Sequence, residues 1–232
     1  MAEIACGARP TKDINAEIWR LIAAGDREIV VKQPGARHNL GVGLLEPVRI
    51  RFAGSVGYFC AGLIDGPRID IDESAGWGLA ESMMSGEVVV HGSAGNGAAA
   101  AIRGGTVVIH GDAAARLGVS MKGGTVLVAG NCGYMAGFMG QRGTLVVCGN
   151  AGDAFADSLY ETICFVGGSI EGLGTDAVVE EPSQEDSTWL DSTLAQYLPG
   201  FSRRGNEFKK VVAGRKLWNF DKREWTVWQE AL

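Results

Sequence analysis

Three groups of residues could do chemistry. The first lies in HGSAGNGAAAAIRGG, residues 91–105, where Gly95, Gly97 and Ala100 fit G-x-G-x-x-A behind the apolar run Val88-Val89-Val90. Such a turn lets backbone approach a pyrophosphate, provided that a strand precedes it and a helix of a βαβ unit follows. The second is His91 with His110, nineteen residues apart, a pair that could share a metal ion if the chain brings them together. The third is the charged set Arg49, Arg51, Arg68, Asp70, Asp72 and Glu73, whose carboxylates could serve as acid and base on a saccharide. A ladder of surface ion pairs accounts for that set at less cost. No Ser–His–Asp arrangement is present, and His38 in PGARHNLGVGL stands by itself. The cysteines (Cys6, Cys60, Cys132, Cys148, Cys164) are odd in number, lack C-x-x-C and sit mostly in apolar runs, which reads as buried, reduced thiols in a cytoplasmic protein.

What must position these residues is a repeat. Written in rows of nineteen, HGSAGNGAAAAIRGGTVVI is followed by HGDAAARLGVSMKGGTVLV, AGNCGYMAGFMGQRGTLVV and CGNAGDAFADSLYETICFV, with two weaker rows before them. Ile50, Ile69, Val88, Val107, Val126, Leu145 and Cys164 form one column, and Phe52, Ile71, Val90, Ile109, Val128, Val147 and Val166 another two residues on. Apolar, largely β-branched positions at i and i+2 are strand chemistry, and both point to one face. A sustained period of this length marks a solenoid. The expected fold is an all-β, right-handed parallel β-helix of about seven coils, with ~4.8 Å between stacked strands. Gly54, Gly92, Gly111, Gly130 and Gly149 are its structural turn glycines, and Ser93, Asp112, Asn131 and Asn150 beside them are expected to take tight or left-handed conformations. The G-x-G-x-x-A match is then one coil's turn. No catalytic, cofactor-binding or metal-binding residues are expected on this chain.

Composition agrees. Glycine is 35 of 232 residues, about twice the usual ~7%, without the three-residue period of collagen. A net charge of −6 argues against nucleic acid, and no segment approaches the ~20 apolar residues of a membrane span.

The column between the two inward ones should face out, and from the third coil it is apolar: Val89, Val108, Leu127, Val146, Phe165. A stripe of that size requires a cover, either the chain's own tail or another protein, and these five are candidate partner-interface residues. Trp218, Phe220, Trp225 and Trp228 in the C-terminal tail are further candidates, because Trp anchors interfaces. Three regions follow: residues 1–45 as an N-terminal capping segment with a helix at Ile14–Ala24, 46–180 as the β-helix, and 181–232 as a helical or extended tail docking on the β-helix or a partner.

GSVGYFCAGL (54–63), GWGLAESMMSG (76–86), SMKGG (120–124) and GTLVVCGNAGDAFADSLYE (143–161), with PGARHNLGVGL (34–44), resemble the GXGXG β-helix family found at the C-terminal end of the glutamate synthase large subunit. Within it, the resemblance is to free-standing second subunits of the N-methylglutamate synthase (methylamine–glutamate N-methyltransferase) type, over roughly residues 30–180. The resemblance implies a cytoplasmic, non-catalytic subunit of a hetero-oligomer. A glutamine-amidotransferase-like partner and a glutamate-synthase-like partner carrying FMN and an iron–sulfur cluster would perform the chemistry, forming N-methylglutamate and ammonia from glutamate and methylamine. Two alternatives remain at this stage: the C-type subunit of a formylmethanofuran dehydrogenase complex, and a self-sufficient carbohydrate-active β-helix acting through Asp70 or Asp72.

Overall fold

In the computed structural model, which describes residues 1–215, the chain is a β-solenoid of about seven coils with a period of roughly nineteen residues. The candidates Trp218, Phe220, Trp225 and Trp228 lie outside the described residues. Nine strands stack in parallel in chain order: β1 (Ala2–Ala5), β2 (Glu28–Lys32), β3 (Arg49–Ala53), β4 (Asp65–Ile71), β5 (Ser85–Val90), β6 (Thr106–Ile109), β7 (Lys122–Val128), β8 (Arg142–Val147) and β9 (Glu161–Val166). The register is that of the repeat: Val88 pairs with Val107, Val107 with Val126, Val126 with Leu145 and Leu145 with Cys164. These side chains and those two residues on fill one buried core running the length of the rod.

The N-terminal segment caps the core with its helix but is not separate from the solenoid. β1 and β2 belong to the ladder itself, with Ile29 opposite Ile50 and Val31 opposite Phe52. Between them α1 (Thr11–Ala23) lays Ile14, Ile18 and Ile22 onto the core's end, the i, i+4, i+8 face legible in INAEIWRLIAA. At the other end the chain turns back: β10 (Ala177–Glu180), α2 (Gln184–Tyr197) and β11 (Lys209–Ala213) follow, and β11 pairs antiparallel with both β9 and β10.

Each coil meets its neighbours in three ways. The long strand is one. A single inward residue per coil is the second, a bridge column from Val56 through Ala75, Ala94, Ala113, Cys132 and Ala151 to Ile170. The third is a segment in which every second residue is left-handed, as Arg116, Gly118 and Ser120 are, with φ of 59°, 62° and 54°. The N–H groups of these left-handed residues point to opposite neighbours in turn: Arg116 donates to Tyr134 O on the next coil, Gly118 to Ala98 O on the previous one, Ser120 to Phe138 O on the next. A left-handed non-glycine residue costs ~1–2 kcal/mol, and the inter-coil hydrogen bond that each one makes offsets this.

Ser93, Asp112, Asn131 and Asn150 do not take the left-handed conformation, since none has positive φ. Their side chains instead accept the backbone N–H of the equivalent residue one coil on: Asn131 N–H to Asp112 Oδ1 at 2.7 Å, Asn150 N–H to Asn131 Oδ1 at 2.8 Å, Ser169 N–H to Asn150 Oδ1 at 2.9 Å. The glycine before each makes room for this. A Cβ on Gly149 would come within 2.6 Å of Asn131 Oδ1 and 2.7 Å of Gly130 O. Gly130→Val should therefore cost several kcal/mol, because Asp112 Oδ1 and Gly111 O both stand where the side chain would go. Gly97→Ala should cost about 1 kcal/mol, since its Cβ would meet nothing within 4 Å and only its φ of +68° opposes it. Equilibrium denaturation of the two variants checks the contrast.

Candidate functional site

The apolar stripe is already covered by the chain. Val89, Val108, Leu127, Val146 and Phe165 are buried together with Leu190 and Leu194 of α2 and with Leu198 and Phe208 beyond it. The expectation that these five offer a partner interface is therefore corrected. The helix that covers them is held at its start and at its middle. Ser183 and Asp186 form a reciprocal N-terminal capping box, and Lys210 of β11 reaches Asp186 at 2.8 Å. Asp191 accepts the Gly205 N–H at 2.7 Å, so the segment returning to β11 is tied to the helix.

The stripe ends where the outward column turns charged, and α2 ends with it; Tyr197 points its hydroxyl at Glu87, 3.4 Å away. On the first coils this leaves a cleft of about 430 Å³, lined by Met1, Glu28, Arg49, Arg51, Asp70, Asp72 and His91 among others. Its charges face one another. Arg51 holds Asp72 through Nε at 2.8 Å and Nη2 at 2.8 Å, a two-pronged pair whose hydrogen bonds and negative charge hold the guanidinium pKa above its ordinary value. Arg49 and Arg68 both lie near Asp70 Oδ2, at 3.5 and 3.4 Å, and Arg68 also meets Glu87 at 2.8 Å. Asp70 and Asp72 are thus members of an ion-pair ladder. An anionic ligand entering here would have to displace Asp72 to reach Arg51.

His91 and His110 do come together, their rings stacked 5.1 Å apart at 16°. Burial, and secondarily the neighbouring His91, depresses the pKa of His110. Ala129 and Cys148 continue their column. The stretch after Gly97 starts no helix: Gly97, Ala99 and Ala101 are the left-handed residues of one coil, with φ of 68°, 56° and 53°. All five cysteines are buried and free. Burial pushes the Cys132 and Cys148 thiols up to about 12, and those of Cys60 and Cys164 higher still, so none is a ready nucleophile. No helix among the described residues is long and apolar enough to cross a membrane.

Exposed apolar surface gathers elsewhere, on the left-handed face. His38, Tyr58 and Trp77 stack in one column with ring centroids 4.4 and 5.2 Å apart. Phe59, Leu63, Tyr134 and Met139 are exposed on the same face. The repeat contained the signal, because these residues flank the inward columns of Cys60 and Ala61.

Two outcomes are expected. Leu194→Asp should undock α2, lower helical circular dichroism and cost ~2–5 kcal/mol, since it puts a carboxylate against Leu127 and Val146. His110 should titrate below an ordinary histidine and move up in His91→Ala, followed by NMR. A folded pKa below the unfolded value of ~6.5 means that the unfolded chain binds the proton more readily. This contribution to stability is accordingly complete above pH ~6.5 and is lost as pH falls through the folded pKa. No family model matches this chain, and no curated protein matches it.

Proposed function

We propose that this chain is a non-catalytic scaffold subunit of a glutamate-synthase-like complex, one that forms N-methylglutamate and ammonia from glutamate and methylamine. Its partners in this reading are a glutamine-amidotransferase-like subunit and a synthase-like subunit holding FMN and an iron–sulfur cluster, together in the cytoplasm. One observation carries the scaffold reading: the residues of the quoted motifs are engaged in stacking the coils. Gly149 and Asn150 of VVCGNAGDAF belong to the glycine-plus-acceptor column. Met121 of SMKGG and Phe155 of GDAFADSLYE lie in the core. Asp157, in the same motif, accepts the Thr175 backbone N–H of the next coil at 2.9 Å. Motif residues consumed in this way specify a rigid rod, and a rigid rod is suited to holding two separate active sites at a fixed distance. The activity itself rests on the family resemblance.

The test is to recover the tagged chain from its native cell and record what accompanies it. Flavin and iron–sulfur absorbance in the complex, with methylamine-dependent formation of N-methylglutamate, is the expected result. Recovery with no flavoprotein would overturn the proposal, and formyl transfer by a flavin-free complex would replace it with the formylmethanofuran reading.

A further inference from the structure

We propose that the left-handed face pairs with the same face of a second copy, the two rods lying antiparallel. The inference rests on that face alone and does not depend on the proposed function. Tyr58, Leu63, Trp77 and Tyr134 are exposed by 41%, 58%, 52% and 48%, and large apolar side chains gathered on one face mark an interaction surface. The face is also nearly uncharged: between Tyr58 and Met139 its outward columns carry only Glu81 and Arg116.

Symmetry makes the face complementary to itself. A two-fold axis lying across the coil of Asn96–Ala101 reverses the order of coils and sets each column against its own copy, the isologous arrangement of a closed dimer. The coil of residues 58–63 then faces that of 134–139, and 77–82 faces 115–120. Large residues fall opposite small ones: Trp77 meets Ala115, and Phe138 meets Gly62. The remaining outward positions of the outer coils pair apolar with apolar, Tyr58 with Tyr134, Phe59 with Met135 and Leu63 with Met139. At the centre Ala100 and Ala101 meet themselves.

The charges fit the same operator. Arg116 falls opposite Gly78, over which the ring of Phe59 already lies. There its guanidinium can rest on that ring and reach Glu81 three positions along the coil. Neither Glu81 nor Arg116 has an ion-pair partner among the described residues, and the two-fold supplies each with one, twice per dimer. A parallel pairing of the rods would set Glu81 level with Glu81, with no such compensation. Charge therefore selects a second copy, reversed, as the occupant.

The full chain should sediment as a dimer at micromolar concentration. Ala115→Trp places a second indole opposite Trp77 and should weaken dimerisation by at least about tenfold, with unchanged circular dichroism because residue 115 lies on the outer surface. Adding Trp77→Ala to that variant should restore the dimer. Ala100→Cys sits on the axis and should be linked to its own copy by a short bismaleimide, which the buried native cysteines cannot do. A monomer at every concentration would overturn the proposal. So would a dimer that Ala115→Trp leaves unchanged, or one whose Ala100→Cys form resists cross-linking.

Discussion

From Ser55 onward the rod depends on one recurring contact: a side-chain oxygen on one coil accepting a backbone N–H on the next, beside a glycine in every coil but that of Glu73. From Ser55 to Ser169 the contact repeats once per coil, tightening from 3.4 Å at the serine end to 2.7–2.9 Å where Asp112, Asn131 and Asn150 are the acceptors. It fixes the period, because an insertion anywhere in a coil would move the acceptor out of line with its donor. It also fixes the corner between the long strand and the bridge column, so the two cannot slide independently. The strands then register without a turn to guide them, and the core columns follow.

This constraint explains an unusual feature of the backbone. With both corners pinned to the neighbouring coils, the intervening segment must span a short distance while still bonding above and below. Alternating left-handed residues achieve this. Alanine, serine, methionine, phenylalanine and arginine all accept the left-handed positions, at Ala61, Ser120, Met135, Phe59 and Arg116. Glycine is mandatory elsewhere, where a Cβ would strike the coil below. Close approach, more than positive φ, sets the glycine content of this chain.

The architecture was legible in the sequence because the strand columns are apolar and β-branched and the period is strict. Val107, Val126 and Leu145 could hardly be read otherwise. The Ser/Asp/Asn column was visible, but its role was not: those residues serve turns in most sequences, and only stacking reveals that their acceptors point along the rod. The N-terminal boundary is not visible in the repeat because β2 is separated from β3 by the irregular span 33–48, which breaks the nineteen-residue count although Ile29 and Val31 sit in the same core columns. That the stripe of Val89 to Phe165 needs a cover does follow from the sequence. Which cover it has depends on α2, whose Leu190 and Leu194 supply only a narrow apolar face within an otherwise polar helix, a weak signal in sequence.

Two apolar surfaces thus meet different fates, for a physical reason. The strand face presents side chains standing away from the sheet at every coil, and a helix can lay leucines along that ridge. The left-handed face alternates large rings with glycine and alanine, so a helix would bridge its gaps and bury little. A surface with knobs and gaps at coil spacing is matched by another surface with the same spacing. The one at hand is a second rod, and the reversal of Trp77 against Ala115 and of Arg116 towards Glu81 is what makes the match specific. In such a pair, the charged clefts of the two copies lie on either side of the axis, because each is centred on the coil of Arg51. Anything bound at the centres of those clefts would then be separated along the rod by about four coil steps, ~19 Å at ~4.8 Å each, with the stiffness of a stacked sheet between them.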